Sequence, residues 1–384
     1  MQSIQAAQPL TSGFEKAVTA GRPRRFLLRL VLIFAGVAVG LGLAEIIMRA
    51  FHLGQTRMVV LYNDSSLKLP PHFKFTNLKE NRNEVETNNL GFHDYERQTT
   101  NSNYRILFLG DSFLEARHVN TDSLFTIRLE KKFTQEGQRI EVINGGVPGT
   151  GTVYQYMLWK EYFEPTVKVD HLVLCFYMGN DLVDNNVDLT AENIWATGSP
   201  YFVDGQGKIL KVANEPGAIK KGINLVRDHS VLFNTLYELA FQIRKTLRGN
   251  GGVDGADDEG RDRTAVWQAS EQGTIALLKR WKTELRGKNI PLDVVLIDRP
   301  GKVYNKFERE FMDRLEATCT QDHIDCLRLK LTNDPFESYS FDGVSLGHFN
   351  YKGHELAANE LYDFFKSHHA AIFTQGAAAQ ALRP

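Results

Sequence analysis

From Tyr104 to Lys366, short apolar runs alternate with stretches whose apolar residues recur at helical spacing, and this limits the fold more than any other feature. RILFLG (105–110), RIEVIN (139–144), HLVLCFYMG (171–179), PLDVVLID (291–298) and IDCLRL (324–329) read as strands, with HLVLCFYMG buried on both faces. Leu124, Ile127, Leu129 and Phe133 mark one intervening helix, and TVYQYMLWKEYF (152–163) has a helical spread of apolar residues. Ile275, Leu278, Trp281 and Leu285 mark another helix, Phe307, Phe311 and Leu315 a further one, and YKGHELAANELYDFFK (351–366) the last. Strands alternating with helices pair in parallel through right-handed crossovers. The expectation is an α/β fold: a three-layer α/β/α sandwich with a parallel sheet over 104–367, its site at the C-terminal ends of the strands.

The stretch 190–265 breaks the rhythm and reads as an insertion near the site. It contains YFVDGQGKIL (201–210), two strand-like pieces around a Gly-containing turn, and GNGGVDGADDEGRD (249–262), too polar and Gly-rich to pack and expected to be a mobile loop. Residues 49–103 read as a neck and lead-in with no domain of their own, and 368–384 as a loose Ala-rich tail.

Ahead of all this lies LLRLVLIFAGVAVGLGLAEIIM (27–48), long enough to cross a bilayer core of about 30 Å. Lys16, Arg22, Arg24 and Arg25 precede it, and Arg29 can snorkel to the same interface. The segments expected are a cytoplasmic tail (1–25) and a transmembrane helix (26–48), single-pass in the inner membrane, with the remainder exported. A cleaved signal peptide and a buried soluble helix are the alternatives; no small-x-small cleavage site follows the apolar core before Glu45.

The formal net charge is -1 and no basic patch is interleaved with aromatics, so nucleic acid is not an expected partner. Three cysteines exclude a disulfide-built scaffold, and no Cys/His cluster has zinc spacing, so no metal and no organic cofactor is expected. Cys175 lies in a strand-like run as a core residue; Cys319 and Cys326 are either free thiols or, outside the cytoplasm, a disulfide.

Four blocks carry the chemistry. Gly110-Asp111-Ser112-Phe113 ends the first strand, where a Ser at a strand-to-helix turn projects its hydroxyl into the cleft above the sheet. Alone, the tetrapeptide reads first as a helix cap made by Asp111 or Ser112. Asn144-Gly145-Gly146-Val147-Pro148-Gly149 follows the second strand, and Gly there permits close backbone approach to a ligand. Gly179-Asn180-Asp181 follows the third, where the Asn amide either donates to an oxyanion or makes an Asx turn. Gly347-His348-Phe349-Asn350 precedes the last helix and brings a candidate base to the same edge.

These ordered blocks resemble the SGNH, or GDSL, hydrolase family, whose Ser, Gly, Asn and His match Ser112, Gly149, Asn180 and His348. The resemblance covers roughly 104–365 apart from the insertion, and Asn88-Asn89-Leu90-Gly91-Phe92 looks like the lead-in of membrane-anchored bacterial members. It implies that Ser112 attacks an ester carbonyl with His348 as base, while the N–H groups of Ser112 and Gly149 and the Asn180 amide hold the oxyanion.

The sequence departs from the family where the triad Asp normally stands, two or three residues before the His, since Ser345 and Leu346 occupy those positions. Asp342 is the nearest upstream acid and is either the third triad member or a turn residue before Gly343; Asp334 is a weaker candidate, and a Ser–His dyad a third solution. His354, inside the last helix pattern, is the competing His. The leading expectation is an esterase acting on an acylated small molecule, lipid or polysaccharide, O-acetyl esters included. An O-acyltransferase using the same residues, and a non-catalytic carbohydrate-binding or assembly protein, are the alternatives.

Overall fold

The computed structural model describes residues 22–51, 53–54, 67–77, 80–101, 103–190, 199–212, 218–247, 264–298, 306–331, 338–341 and 347–373. The chain divides into two compact units, one of Met1–Arg57 with Lys221–Arg244, the other of Met58–Lys220 with Lys245–Pro384.

The larger unit carries the parallel sheet. Its strands are β3 (Tyr104–Gly110), β4 (Ile140–Gly146), β5 (His171–Tyr177), β8 (Leu292–Ile297) and β9 (Asp325–Leu329), in the order β4-β3-β5-β8-β9, with every neighbouring pair parallel. All five expected strands are present. Side chains alternate across the sheet with period two, which splits the core in half. Leu107, Leu109, Leu172, Leu174, Phe176, Val294 and Leu296 share one cluster with Trp267, Trp281 and Phe311. Ile106, Phe108, Val173, Cys175, Val295 and Ile297 share the other with Phe125, Phe133, Leu361 and Phe365. Helices therefore cover both faces: α4 (Thr152–Leu158), α10 (Thr264–Arg286) and α11 (Lys306–Gln321) on the first, α3 (Phe125–Gln135) and α12 (Tyr351–His368) on the second. This is the expected three-layer sandwich. Chain order reverses direction between β3 and β5, and such a switch point opens a crevice at the C-terminal strand ends.

Two details differ from the expected pattern. The helix expected over 152–163 is α4 followed by a π-helical turn, Trp159–Phe163, and a short α5 (Glu164–Thr166). Pro165 lies within α5, and its ring resists a regular α-turn against the carbonyl of Glu161, four residues earlier in the π-helical turn. The tail is packed as far as Ile372, which is buried, and His369 Nε2 lies 2.8 Å from Asp293 Oδ2.

Before the sheet, β1 (Lys74–Asn77) and β2 (Asn83–Glu86) form an antiparallel hairpin. The Asn88–Phe92 loop behind it is an Asx-type turn: Asn88 Oδ1 accepts from the N–H groups of Leu90 (2.9 Å) and Phe92 (3.0 Å). Gly91, at φ 88°, has no alternative, because a Cβ there would sit 2.1 Å from the Leu69 carbonyl oxygen.

After β5 come two short helices, α6 (Asp181–Asp184) and α7 (Val187–Thr190). The expected hairpin is β6 (Tyr201–Val203) and β7 (Ile209–Lys211); the expected mobile loop at 249–262 lies outside the described residues. Cys175 is buried as expected. Cys319 and Cys326 are free thiols, and the hydrogen bond to Cys319, reinforced by burial, drives the Cys326 thiol far up.

The smaller unit holds α1 (Arg22–Ala50), most of α8 (Ala218–His229) and most of α9 (Val231–Leu247). Within α1, Phe26–Ala50 has a mean hydropathy of 2.5 and none of its most apolar window is buried.

Candidate active site

Gly110 ends β3 because the sheet leaves no room for more: a Cβ would lie 2.9 Å from Cys175 Cβ. Asp111 then leaves the strand conformation, and its Oδ1 accepts from Phe113 N–H at 2.9 Å, capping α2 (Ser112–Glu115). The capping reading thus holds for Asp111 and leaves the hydroxyl of the next residue unspent on the cap.

Ser112 Oγ lies 2.8 Å from His348 Nε2, across 236 residues of sequence. His348 is set by the turn before α12. Phe341 N–H donates to the His348 carbonyl (3.3 Å), and Ser340 bridges Phe349. Asn350 caps the helix by accepting from Lys352 and Gly353 N–H, and donates back to the Ser340 carbonyl (3.1 Å). The imidazole packs between the rings of Phe113 and His118, each centroid 4.8 Å away.

The other ring nitrogen identifies a residue that sequence reading missed. His348 Nδ1 is 2.7 Å from Glu80 Oε1, and His348 N–H donates to Glu80 Oε2 at 3.1 Å. An Nδ1–H held on a carboxylate leaves the Nε2 lone pair facing the Ser112 hydroxyl, the tautomer a general base needs. Asp342 and Asp334 lie outside the described residues.

Glu80 comes from the tip of the β1–β2 hairpin, and three asparagines pin that tip. Asn77 Nδ2 donates to the Asn81 carbonyl (2.9 Å), and Asn81 Nδ2 to the His118 carbonyl (2.9 Å). Asn83 Nδ2 donates to the carbonyls of Arg117 (3.0 Å) and Val119 (2.7 Å). Glu80 itself sits at φ 63°, a left-handed conformation that costs a Cβ-bearing residue on the order of 1 kcal/mol. The clustered Asn around an acid was the available sequence signal; nothing in it points to His348.

Gly149 and Asn180 stand at the ends of the two strands that flank β3. Gly149, at φ 65°, is in the loop after β4, and Asn180 follows β5. Their two turns therefore bracket the Ser112 turn at one edge of the sheet. Gly146 lets the first loop approach: a Cβ there would meet Glu115 N at 2.3 Å. The Asn180 amide gives one N–H to Asp184 Oδ2 (2.8 Å) and has a second.

Beneath the serine lie two buried carboxyls. Burial pushes Asp111 up to about 6, against the pull of its bond from Phe113 N–H and the charge of His348. Burial, with Asp111 and Asp184 nearby, holds Asp181 well above the ordinary carboxylate range. Asp111 Oδ2 and Asp181 Oδ1 are buried with no hydrogen-bond partner among the described residues.

His354 is a core residue. It is buried, its Nδ1 accepts from Phe125 N–H at 3.2 Å, and desolvation lowers it to about 3. His118 is also driven well down by burial and donates Nε2–H to the Phe349 carbonyl at 3.0 Å, so it is a neutral plate against His348. Donor atoms of Glu80, His118 and His348 converge within 4.8 Å, as do those of His171, Asp293 and His369 at the opposite edge of the sheet. In both groups the atoms are engaged in hydrogen bonds to one another or to neighbours, which accounts for their closeness.

No protein-family model matches the chain, and no curated protein matches it. Solved structures that are similar include a putative lipolytic protein of the G-D-S-L family from Desulfitobacterium hafniense, 12% identical over 68% of this chain and 99% of that one, TM-score 0.36. Another is the psychrotrophic esterase EstA from Pseudoalteromonas sp., 13% identical over 69% and 98%, TM-score 0.37. A third is the lipase/acylhydrolase from Enterococcus faecalis, 14% identical over 69% and 96%, TM-score 0.38.

Proposed function

We propose that the protein is a membrane-anchored serine ester hydrolase working through Ser112, His348 and Glu80. The observation that carries this reading is the unbroken relay from Ser112 Oγ to His348 Nε2 (2.8 Å) and from His348 Nδ1 to Glu80 Oε1 (2.7 Å). Ser112 attacks the ester carbonyl as His348 takes its proton; Glu80 holds the tautomer and offsets the imidazolium charge. The tetrahedral oxyanion is received by the N–H groups of Ser112 and Gly149 and by the second N–H of the Asn180 amide. His348 returns the proton to the leaving alcohol, and water, activated by the same base, releases the acid. A carboxylate on Nδ1 supplies what the sequence lacks before His348 and removes the main reason for a non-catalytic reading.

The anchor is α1. Its 25-residue apolar stretch, at about 1.5 Å per residue, spans a bilayer core with room to tilt, and the basic cluster ahead of it keeps the N-terminus cytoplasmic. The hydrolase unit is then exported, in reach of acylated envelope material such as O-acetylated polysaccharide or lipid esters.

Fluorophosphonate labelling tests the site directly. Wild type is labelled and hydrolyses aryl acetates, whereas Ser112→Ala does neither and keeps its fold. Equal activity in that variant removes the reading.

A further inference from the structure

In the smaller unit the polarity of α9 is inverted for a helix of a water-soluble domain. Leu232, Leu236, Leu239 and Ile243 recur at helical spacing along one face, and the last three are 50%, 53% and 50% exposed. Phe233 and Tyr237 flank this stripe at 37% and 41%, while Asn234 on the opposite side is buried. There Arg227 on α8 holds Asn234 Oδ1 (3.0 Å) and Glu238 Oε1 (2.6 Å). Polar groups are thus satisfied inward, and leucines face outward. Leu225 and Val226 extend the apolar surface onto α8 at 61% and 45% exposure.

The helix pair is moored to one end of α1. Glu45 accepts from the N–H groups of Val231 (2.9 Å) and Leu232 (2.8 Å) and from Ser230 Oγ (2.9 Å), so it caps the start of α9. Arg49, one turn further on, pairs with Glu45 (2.7 Å) and donates to the His229 carbonyl at the end of α8 (2.6 Å). From Phe26 to Glu45 the rise is about 28 Å, close to the thickness of the hydrocarbon core. The mooring point is therefore at the boundary where α1 leaves the bilayer. A carboxylate there is tolerable because four donors satisfy it, Arg49 among them.

We propose that the α8–α9 hairpin is a second membrane contact, lying in the headgroup region of the exported leaflet with Leu236, Leu239 and Ile243 at the acyl boundary. The occupant of the apolar face is lipid because the helix pair is tied to α1 at its exit end, where Ile46, Ile47 and Phe51 are themselves 63%, 50% and 68% exposed. Phe233 and Tyr237 sit at headgroup depth, where aromatic rings are favoured. The inference rests on the reading of α1 as the anchor.

The test uses the full chain in nanodiscs of phosphatidylethanolamine and phosphatidylglycerol, with p-benzoylphenylalanine placed singly at Leu239, Ile243, Glu238 and, on α1, Ile33. Irradiation and mass spectrometry identify the adducts. Expected are lipid adducts at Leu239, Ile243 and Ile33, about tenfold above Glu238. Lipid adducts at Ile33 with none at Leu239 and Ile243 overturn this inference and leave the anchor standing. Crosslinks from Leu239 to protein assign the face to a protein partner and overturn it too. Absence of lipid adducts at Ile33 removes the anchor reading, and this inference with it.

Discussion

Replacing Glu80 by Gln isolates the charge that the proposed mechanism assigns to it. The amide is nearly isosteric, and its oxygen can still accept from His348 Nδ1–H at the 2.7 Å separation, so ring orientation is largely kept. What disappears is the attraction between a carboxylate and the imidazolium formed as Ser112 loses its proton. With charge centres roughly 4 Å apart and an effective dielectric near 20, that attraction is about 4 kcal/mol, or roughly a thousandfold in rate. The side chains of Glu80 and His348 remain 17% and 24% exposed, so solvent screens part of it. The expected outcome is a fall in kcat of about 10²–10³, with KM changed less than about threefold, because the interaction grows only in the transition state. The assay is steady-state hydrolysis of an aryl acetate, beside fluorophosphonate labelling rates and thermal melts of the same preparations. A Glu80→Gln variant that melts like wild type and keeps a third or more of its kcat refutes the assignment. A comparable loss in Asp342→Asn instead, with Glu80→Gln near wild type, moves the acid to Asp342.

Asn180→Ala removes one of the proposed oxyanion donors and is expected to lower kcat by about 10²–10³ with little change in KM, read in the same assay. Asp111→Asn keeps the cap on Phe113 N–H and deletes a buried charge. Because burial raises the folded carboxyl from 3.8 to about 6, wild-type stability is full below the lower value and is lost as pH rises through the upper. The variant should therefore gain up to about 3 kcal/mol at pH 8 and nothing below pH 4, measured as denaturant midpoints against pH. Burial lowers His93, His118 and His354, so stability is full above their ordinary 6.5 and is lost on acidification. For His354, lowered to about 3, the loss runs at up to about 1.4 kcal/mol per pH unit between those two values, and His93 and His118 act in the same direction, which urea titrations at stepped pH will register. If the hydrolase unit is exported, the touching thiols of Cys319 and Cys326 should oxidise to a disulfide worth about 2–3 kcal/mol, detected by intact mass before and after reduction.

Four of the strands were legible because β3, β4, β5 and β8 are buried on both faces, so hydrophobicity alone marked Leu107, Val173 and Val295 and their neighbours. That Ser112 and His348 meet was legible because a parallel sheet gathers its turns at one edge: Ser112 lies in the turn after β3 and His348 in the turn before α12. Glu80 was not, and the reason is physical. Its role depends on a contact across 268 residues and on three Asn side chains whose partners are backbone carbonyls, which leave no trace in residue type. The inverted face of α9 was illegible for a related reason: an exposed stripe of leucines and a buried one are the same letters, and only the solvent side of the helix tells them apart. A domain drawn from residue 104 onward contains the whole sheet, Ser112 and His348, yet excludes Glu80, whereas the compact unit begins at Met58. In the proposed mechanism the lead-in therefore belongs to the reaction: a segment that adds no strand to the sheet carries the carboxylate that sits 2.7 Å from His348 Nδ1.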